Sequence, residues 1–397
     1  MFFDKVPEGQ PDPVFGLSGA FAADTRSKKV NLLVGIYKND RLQSESMPVV
    51  RIAREATASQ DLVADYLPID GHSEFLAHLG ALVFGEKEWK GRDSSYAAQT
   101  AGGTAALRIG TELLIQEVTK TISIPTPTWP NHRLILDKAG CNVDAYPYYS
   151  REKKGVDFEA ILKHLKGLPE KAAVILHACC HNPTGCDLSN QEWKELSSFM
   201  KKKRLFPFFD FAYQGFGDGL EKDAEAVRIF KEDGHDMLVA YSCSKNFSLY
   251  CQRVGALFAL GQNAGEKFRI ASQVKRIIRG LYSNPPAHGA RIASFILGEE
   301  KLRHQWEKEL EGMRARMTRM RKSLSSRLIA QAKKIDFRYL EKHKGMFSFL
   351  DMDKHQVQRM ISEFGVYLLD SGRISVAGLS EDNIDYVVNS LLTVCEA

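Results

Sequence analysis

The sequence predicts an α/β protein, with a mostly parallel sheet between helices and a smaller α/β domain after it. Two observations carry this prediction. Helical stretches alternate with short, continuous apolar runs over residues 48–310. A long helical pattern over residues 299–334 then leads out of that region. Continuous apolar strands separated by helices are typical of a parallel sheet that is covered on both faces.

Each predicted element follows from its local pattern. The first forty or so residues are rich in Pro and Gly and predict an arm, which a short strand follows at residues 30–37. The predicted strands of the large sheet cover residues 121–124, 172–177, 205–209, 237–241 and 256–260. Apolar runs at residues 345–350 and 372–376 predict strands of the smaller domain. We therefore expect an arm with part of the small domain (1–47), a large domain (48–312) and a small C-terminal domain (313–397).

Composition restricts the class of protein. The 397 residues are 44% hydrophobic and 26% charged, which is typical of a globular domain that is soluble in water. The net charge of +5 is densest over residues 313–322, a run that could also suggest nucleic-acid binding. Apolar residues recur every three or four positions from Trp306 to Leu328, so we interpret the arginines as the solvated face of a helix. We expect no nucleic-acid partner.

The cysteines and the N-terminus predict a cytoplasmic protein. Seven cysteines without a Cys-x-x-Cys motif indicate reduced thiols. The apolar runs are too short for a membrane span, and Asp4 and Glu8 are atypical of a signal peptide. Cys179 and Cys180 belong to a His- and Cys-rich segment. Neighbouring residues of a strand face opposite sides, so we expect no metal site there.

Lys245 is the most informative residue of the chain. It follows an apolar run, lies among Ser242 and Ser244, and precedes Arg253 by eight positions. A lysine that is partly neutral can form a Schiff base with a carbonyl group. The serines and the arginine could donate to a phosphate, so the segment fits pyridoxal phosphate. Taken alone, the same segment could be a solvated turn.

Polar residues follow two other predicted strands, where functional groups of open α/β sheets lie. Asn182, in an Asn-Pro motif, either belongs to a turn or donates its amide to a cofactor oxygen. Asp210 ends a run of phenylalanines and either caps a helix or faces a cation such as a pyridinium nitrogen. Tyr213 could reach the same ligand.

Further candidates have two interpretations each. Gly103 and Thr104 open a helical stretch and could bind an anion at its N-terminus, although a Gly-Gly-Thr motif is a weak signal. Trp129 lies between prolines and could stack on a planar ring or fill the core. Arg279 and Arg373 could clamp carboxylates or lie on the surface.

In their order along nearly the whole chain, these motifs resemble the class I, fold-type I aminotransferases, in the subgroup of aspartate and aromatic amino-acid aminotransferases. The resemblance implies pyridoxal 5′-phosphate as cofactor and a seven-stranded, mostly parallel sheet in the large domain. The matching segments are Gly35-Ile-Tyr-Lys38, Tyr66-Leu-Pro-Ile-Asp-Gly71, Gly102-Gly-Thr104, Trp129-Pro-Asn-His132, His181-Asn-Pro-Thr-Gly185, Asp210-Phe-Ala-Tyr-Gln-Gly-Phe216, Ser242-Cys-Ser-Lys-Asn-Phe247, Tyr282-Ser-Asn-Pro-Pro-Ala-His-Gly289 and Gly372-Arg373.

The resemblance also implies roles for the site residues. Lys245 would form the Schiff base and move the substrate proton, and Asp210 would keep the pyridine nitrogen protonated. Arg373 would clamp the substrate α-carboxylate, with a backbone contact from Gly35. Residues implied to contact the cofactor ring are Trp129, Asn182 and Tyr213, with His132 and His177 behind them. Residues implied to bind its phosphate are Gly103, Thr104, Ser242, Ser244, Arg253 and Tyr66.

In this family Tyr66, Arg279 and Ser283 reach into the partner subunit's site, which implies a homodimer with shared active sites. The expected reaction is ping-pong transamination, L-aspartate plus 2-oxoglutarate to oxaloacetate plus L-glutamate. Arg279 favours a dicarboxylic substrate because a buried guanidinium needs an anionic partner. Lys38, Thr104 and Asn284 also match aspartate-type members.

Alternatives stay open at this point. An aromatic amino-acid aminotransferase with a dicarboxylate as second substrate would keep the same arginine. A lyase with the same cofactor, or a binding protein without catalytic activity, is also conceivable, but the reacting groups are all present. The chain departs from the family at Asp65, Cys243 and Ser248, which could change substrate preference or cofactor affinity.

Overall fold

The computed structural model describes residues 1–9, 12–59, 65–90 and 93–396. A seven-stranded sheet lies at the centre of its fold. The strands are β1 (Val30–Asn31), β2 (Ser95–Ala101), β3 (Thr121–Thr126), β4 (Asn142–Pro147), β5 (Tyr149–Ser150), β6 (Gly155–Val156), β7 (Ala173–His177), β8 (Phe206–Phe211), β9 (Met237–Ser242), β10 (Val254–Leu260), β11 (Phe347–Phe349), β12 (Val366–Tyr367) and β13 (Arg373–Ser375). The order in the large sheet is β2-β10-β9-β8-β7-β3-β4. In this sheet β10 is antiparallel to both of its neighbours, β2 and β9, and the other pairs of strands are parallel.

The predicted α/β fold with a mostly parallel sheet is confirmed. All five predicted strands of the sheet form, with ends shifted by one or two residues. They are almost completely buried because helices cover both faces. The sequence analysis missed β2 and β4. Their runs contain small and polar residues, so they lack the apolar signal of the other strands.

Fifteen helices are described. They are α1 (Pro13–Ala23), α2 (Pro48–Ala58), α3 (Ser73–Phe84), α4 (Glu86–Lys90), α5 (Gly102–Glu117), α6 (Pro130–Ala139), α7 (Phe158–Lys166), α8 (Asn190–Lys203), α9 (Leu220–Asp223), α10 (Glu225–Glu232), α11 (Ala264–Leu281), α12 (Ala287–Gly298), α13 (Glu300–Gln331), α14 (Lys354–Phe364) and α15 (Ile384–Cys395). Ser189 and Glu192 form a capping box at the start of α8, which satisfies two backbone N–H groups.

Alternate side chains of the strands enter two separate hydrophobic cores. Phe208 belongs to the core that α5 covers, together with Leu107 and Leu238. Its neighbour Phe209 points the other way and packs against Phe230, with ring centres 5.1 Å apart. This period of two places the large domain's helices in layers on both sides of the sheet.

The long helix predicted over residues 299–334 is α13, but part of its basic run was interpreted wrongly. Arg319 is exposed, as expected, whereas Arg316 and Arg321 are only 3% and 4% exposed. Arg321 donates to Ser348 Oγ and to backbone carbonyls of the strand β11 region, and Arg316 also finds acceptors. These acceptors come from distant parts of the chain, so helical periodicity could not reveal them.

The N-terminal segment pairs with the C-terminal part of the chain. β1 lies parallel to β12, with Val30 opposite Val366, and β11 lies antiparallel to β13. The strand predicted at residues 30–37 is therefore only two residues long, and the predicted arm contains α1. The domain division stays a prediction. In the described parts of the chain, no helix is long and apolar enough to cross a membrane.

Candidate active site

One cavity of about 550 Å³ lies at the carboxyl edge of the large sheet. β2, β3, β7, β8 and β9 end at this edge, and β10, which runs the opposite way, begins there. The topology therefore brings together motifs that are far apart in sequence. The predicted site residues that line the cavity are Gly35, Gly103, Thr104, Trp129, Asn182, Asp210, Tyr213, Ser242, Ser244, Lys245, Arg253 and Arg373.

Lys245 lies three residues after β9, and its side chain borders the cavity. Burial, with a smaller contribution from the nearby guanidinium groups of Arg253 and Arg373, lowers its pKa to about 8, although the negative charge of Asp210 opposes this shift. Its Nζ atom is 5.1 Å from the centre of the Tyr213 ring. The amine therefore loses its proton more readily than that of an ordinary lysine, which favours its use as a nucleophile.

Asp210 is the fifth residue of β8, so it lies in the strand and not after it as predicted. Burial alone would raise the pKa of its carboxyl group. The hydrogen bond with His132 and the nearby positive charges outweigh burial and hold the pKa below its usual value. The distance from His132 Nε2 to Asp210 Oδ2 is 3.1 Å. Asp210 is thus a buried, ionised carboxylate on the cavity wall.

A short polar chain lies behind Asp210. Thr128 Oγ1 is 2.8 Å from His132 Nδ1 and 3.2 Å from His177 Nε2. Burial keeps the pKa of His177 well below its usual value, so this ring is neutral. These hydrogen bonds fix the orientation of the His132 ring, and the ring in turn orients the carboxylate of Asp210.

Several hydrogen-bond donors that could bind an anion lie together at the N-terminus of α5. Ser242 Oγ is 3.1 Å from Ser244 Oγ, and Arg253 Nη1 donates to Ser244 Oγ over 3.4 Å. Gly103 lies so close to this group that a Cβ atom there would be 3.0 Å from Ser242 Cβ. The helix N-terminus, the hydroxyl groups and the guanidinium form a positive cradle that suits a phosphate.

Arg373 forms the opposite wall of the cavity and is 3% exposed. It donates to Asn182 Oδ1 over 3.1 Å and to Leu33 O over 2.5 Å, and its guanidinium carbon lies 4.2 Å from the centre of the Phe347 ring. Burial lowers its pKa to about 10, so it is charged at neutral pH. Its Nε atom has no hydrogen-bond partner among the described residues, and the site therefore has spare capacity for an anion.

Trp129 and Tyr213 lie on other parts of the cavity wall. Trp129 immediately precedes α6 and packs edge-on against His132, with ring centres 5.4 Å apart. Tyr213 follows β8, and burial raises the pKa of its hydroxyl, which the charge of Arg373 partly offsets. A neutral phenol in this position can donate a hydrogen bond into the cavity.

The predicted residues Tyr66, Arg279, Ser283 and Asn284 do not line this cavity. Tyr66 is 91% exposed, and Arg279 is exposed with its guanidinium in contact with Ser283 Oγ. Asn284 donates to Leu67 O over 2.7 Å, which ties the two segments together. That Tyr66, Arg279 and Ser283 serve the site of another subunit stays a prediction, because the structure contains one chain.

Tyr250 and Phe347, which were not predicted as site residues, also line the cavity. Tyr250 Oη accepts a hydrogen bond from the backbone N–H of Tyr37 over 2.9 Å. Its position between Lys245 and Arg253 was the available signal. Phe347 lies in an apolar run that was assigned only to a strand, and only the folded chain shows its contact with Arg373.

Cys179 and Cys180 do not point to opposite faces, so this prediction was wrong. Both residues follow β7, and the left-handed backbone of Cys180 (φ 51°) turns its thiol toward its neighbour. The two Sγ atoms and a carboxylate oxygen of Asp223 lie within 4.8 Å of one another. However, Asp223 already accepts hydrogen bonds from three backbone N–H groups, and both thiols are buried.

Known proteins match this chain over almost its full length. The sequence profile of the family "Aminotransferase class I and II" matches residues 27–391. An aspartate aminotransferase of Pseudomonas aeruginosa is 41% identical and one of Haemophilus influenzae 39% identical, and these alignments cover 99% of this chain and 99% and 100% of the relatives. The chain also resembles a solved structure, that of an aromatic-amino-acid aminotransferase of Burkholderia pseudomallei covalently bound to pyridoxal phosphate. The two superpose with a TM-score of 0.96 and are 42% identical, over 99% of each chain. The chain belongs to the class I and II aminotransferase family.

Proposed function

We propose that this enzyme is a pyridoxal-phosphate-dependent aspartate aminotransferase. It would convert L-aspartate and 2-oxoglutarate to oxaloacetate and L-glutamate by a ping-pong mechanism. The observation that carries the proposal is the placement of Lys245, with its lowered pKa, between Asp210 and Arg373 in one cavity. The family of the chain and its aspartate aminotransferase relatives support the same function.

The residues of the cavity fit pyridoxal phosphate. The cradle of Gly103, Ser242 and Arg253 matches a phosphate, and Cβ atoms at the two glycines of that turn would occupy it or collide with its walls. Asp210 offers an anion to a ring nitrogen, and Lys245 offers an amine to an aldehyde. A phosphate, a basic ring nitrogen and an aldehyde are polar features of this cofactor.

When bound, the cofactor supplies an electron sink that stabilises negative charge at the substrate α-carbon. Lys245 Nζ would hold the cofactor, and the same amine would move the substrate α-proton as general base and acid. Asp210 would keep a proton on the ring nitrogen, and Tyr213 and Asn182 would donate hydrogen bonds to the cofactor. Trp129 would lie against the ring and exclude water.

Two arginines would select the substrate. Arg373 binds the α-carboxylate, with the backbone of Gly35 beside it. Arg279 of a second subunit would bind the distal carboxylate, a role that its exposure in the single chain supports. Clamping both ends of the substrate orients the Cα–H bond toward Lys245 and favours transamination over decarboxylation.

An aromatic amino-acid aminotransferase is the second candidate. The similarity in fold and sequence to the aromatic-amino-acid aminotransferase of Burkholderia pseudomallei favours it. Both candidate functions would use the cavity residues that are described above. They differ in whether the site also accepts a ring in place of the distal carboxylate.

We infer a homodimer with two shared active sites. The large exposed hydrophobic residues Phe2, Phe3 and Val6 of the N-terminal arm support this inference, because a partner subunit would bury them. We also infer a cytoplasmic location. All seven cysteines are free thiols, which is typical of proteins in a reducing compartment.

The visible absorption spectrum of the purified protein with pyridoxal phosphate tests the proposal. L-Aspartate, added without an oxo acid, should convert the band of the lysine-bound cofactor into that of the amine form. A response to L-phenylalanine or L-tyrosine but not to L-aspartate would favour the second candidate. Failure to form the lysine-bound band, or an unchanged band in the Lys245→Ala variant, would contradict the proposal.

A further inference from the structure

Two neighbouring segments build the carboxylate-binding end of the cavity. One covers residues 31–40 and contributes Gly35, and the other covers residues 373–379 and contributes Arg373; we call them the substrate segments. Arg373 Nη2 donates to Leu33 O over 2.5 Å, so the carboxylate-binding arginine is oriented by the first segment. A shift of one segment against the other would therefore move the guanidinium relative to the backbone of Gly35.

Arg316 of α13 connects the outer ends of both substrate segments. Its Nε donates to Asp40 Oδ1 and its Nη2 donates to Leu379 O, each over 2.9 Å. Its guanidinium carbon also lies 5.9 Å from the centre of the Tyr37 ring. Asp40 and Tyr37 belong to the first segment and Leu379 ends the second, so one side chain fixes the two segments to each other and to α13.

The first substrate segment also contacts the cavity wall. The backbone N–H of Tyr37 donates to Tyr250 Oη over 2.9 Å. Tyr250 in turn accepts at its backbone oxygen from Arg253 Nη1 over 3.1 Å, and both residues line the cavity. The position of the first segment is thus coupled to the wall that carries the phosphate cradle.

Stability alone does not account for Arg316. Its side chain is almost completely buried, whereas the side chain of its charged partner Asp40 is 71% exposed. An exposed carboxylate compensates poorly for burial of a guanidinium. The Nη1 atom also has no partner among the described residues, which adds a further cost.

We propose that Arg316 is a positioning residue for substrate binding. It holds the substrate segments in register, so that Gly35 and Arg373 present one preformed site to the α-carboxylate of the amino acid and of the oxo acid. This inference rests on the proposed function, because it assumes that the substrates carry that carboxylate. Small displacements of such a site weaken binding strongly.

The Arg316→Lys variant tests the inference. Lysine keeps the charge, but its single ammonium group cannot reach Asp40 and Leu379 together. We expect KM for both L-aspartate and 2-oxoglutarate to rise about tenfold while kcat stays within about twofold, as for loss of uniform binding. A variant that was merely less stable would lose active protein without this split between KM and kcat.

Arg319→Lys is the matched control. Arg319 Nη2 donates to the same Asp40 Oδ1 over 2.9 Å, but its side chain is mostly exposed. It is one turn away on the same helix, and among the described residues its only hydrogen bond to the substrate segments is this one to Asp40. The control should leave KM unchanged. An equal rise in KM for both variants would show that surface charge near Asp40, and not the bridge, sets affinity.

Binding of succinate, a dicarboxylate without an amine, gives a readout that does not depend on turnover. Isothermal titration calorimetry should show about tenfold weaker binding to Arg316→Lys than to the wild type. If Arg316→Lys does not fold, Asp40→Ala removes one end of the bridge from the surface and should raise KM about threefold. Unchanged KM and succinate affinity in the folded variants would overturn the inference. A wild type that ignores L-aspartate would instead contradict the proposed function.

Discussion

His132 Nε2 lies 3.1 Å from Asp210 Oδ2, and both side chains are almost completely buried. The contact uses one oxygen of the carboxylate, which borders the cavity. A buried carboxylate that stays ionised is costly unless charge and hydrogen bonds compensate. His132 and Lys245 provide that compensation, so the arrangement maintains a negative charge where a ring nitrogen would bind.

Replacing Asp210 by Asn should lower kcat by about 10²–10⁴-fold, because a neutral amide cannot hold a proton on the ring nitrogen. Single-turnover rates with L-aspartate measure this effect. Asp210→Glu is the control, since it keeps the charge and should recover part of the rate. A rate for Asp210→Asn within about threefold of the wild type would contradict the role of the negative charge.

Because of Lys245, we expect the stability of the cofactor-free protein to depend on pH. Its pKa falls from 10.5 to about 8 on folding, so below pH 8 the folded state holds a buried charge at a cost. Between about pH 8 and 10.5 the folded state has released the proton and the unfolded state has not. The unfolded state then binds more protons, and stability rises with pH in this window.

The Lys245→Met variant checks this sign. It should melt at a higher temperature than the wild type below pH 8, and the difference should shrink as the pH rises toward 10.5. Thermal unfolding of both proteins without cofactor, at several pH values, is the measurement. Lys120→Met, at an exposed position, is the control. A constant difference at all pH values would mean that packing, and not charge, separates the two proteins.

Replacing Arg373 by Lys should raise KM for L-aspartate and 2-oxoglutarate by about 10–100-fold, because lysine cannot form the two parallel hydrogen bonds of a guanidinium. Steady-state kinetics with both substrates measure the change. The substitution leaves the cavity's other walls intact, so the spectrum of the bound cofactor should not change. An altered cofactor spectrum with normal KM would assign Arg373 to the cofactor and not to the substrate.

Much of the large domain could be predicted because its signals are local. The buried strands consist of apolar runs, and Lys245, Asp210 and Asn182 lie at or just after the strand ends where such a sheet carries its functional groups. The strand β2 was missed because Ser95–Ala101 contains small and polar residues, and its burial comes from pairing with β10. Ser248, one of the predicted departures from the family, has a left-handed backbone (φ 51°), which is a conformation that Gly adopts more readily.

The errors concern contacts between distant segments. Arg316 and Arg321 were predicted to lie on the solvated face of the helix. The helical pattern could not reveal their hydrogen-bond acceptors on Asp40, Leu379 and Ser348. The thiols of Cys179 and Cys180 come together because one residue has a left-handed backbone, which residue type alone did not reveal. Both cases depend on tertiary structure that sequence periodicity does not encode.

The shared active site can be tested by mixing two inactive variants. In Lys245→Ala the site loses the amine of its own chain, and in Arg279→Ala it would lose the distal clamp that the partner subunit provides. After dissociation and reassociation of an equal mixture, half of the dimers are hybrids, and each hybrid has one site with both groups intact. Activity on L-aspartate should therefore recover to roughly a quarter of the wild-type value.

A second mixture provides the control for this experiment. Lys245 and Arg373 line the same cavity of one chain, so a hybrid of Lys245→Ala with Arg373→Ala has one defect in each site. This mixture should recover no activity. Recovery in both mixtures would point to contamination by wild-type protein. Absence of recovery in the first mixture, with hybrids confirmed by native mass spectrometry, would show that Arg279 does not serve the neighbouring site, and the exposure of Arg279 and Tyr66 would then need another explanation.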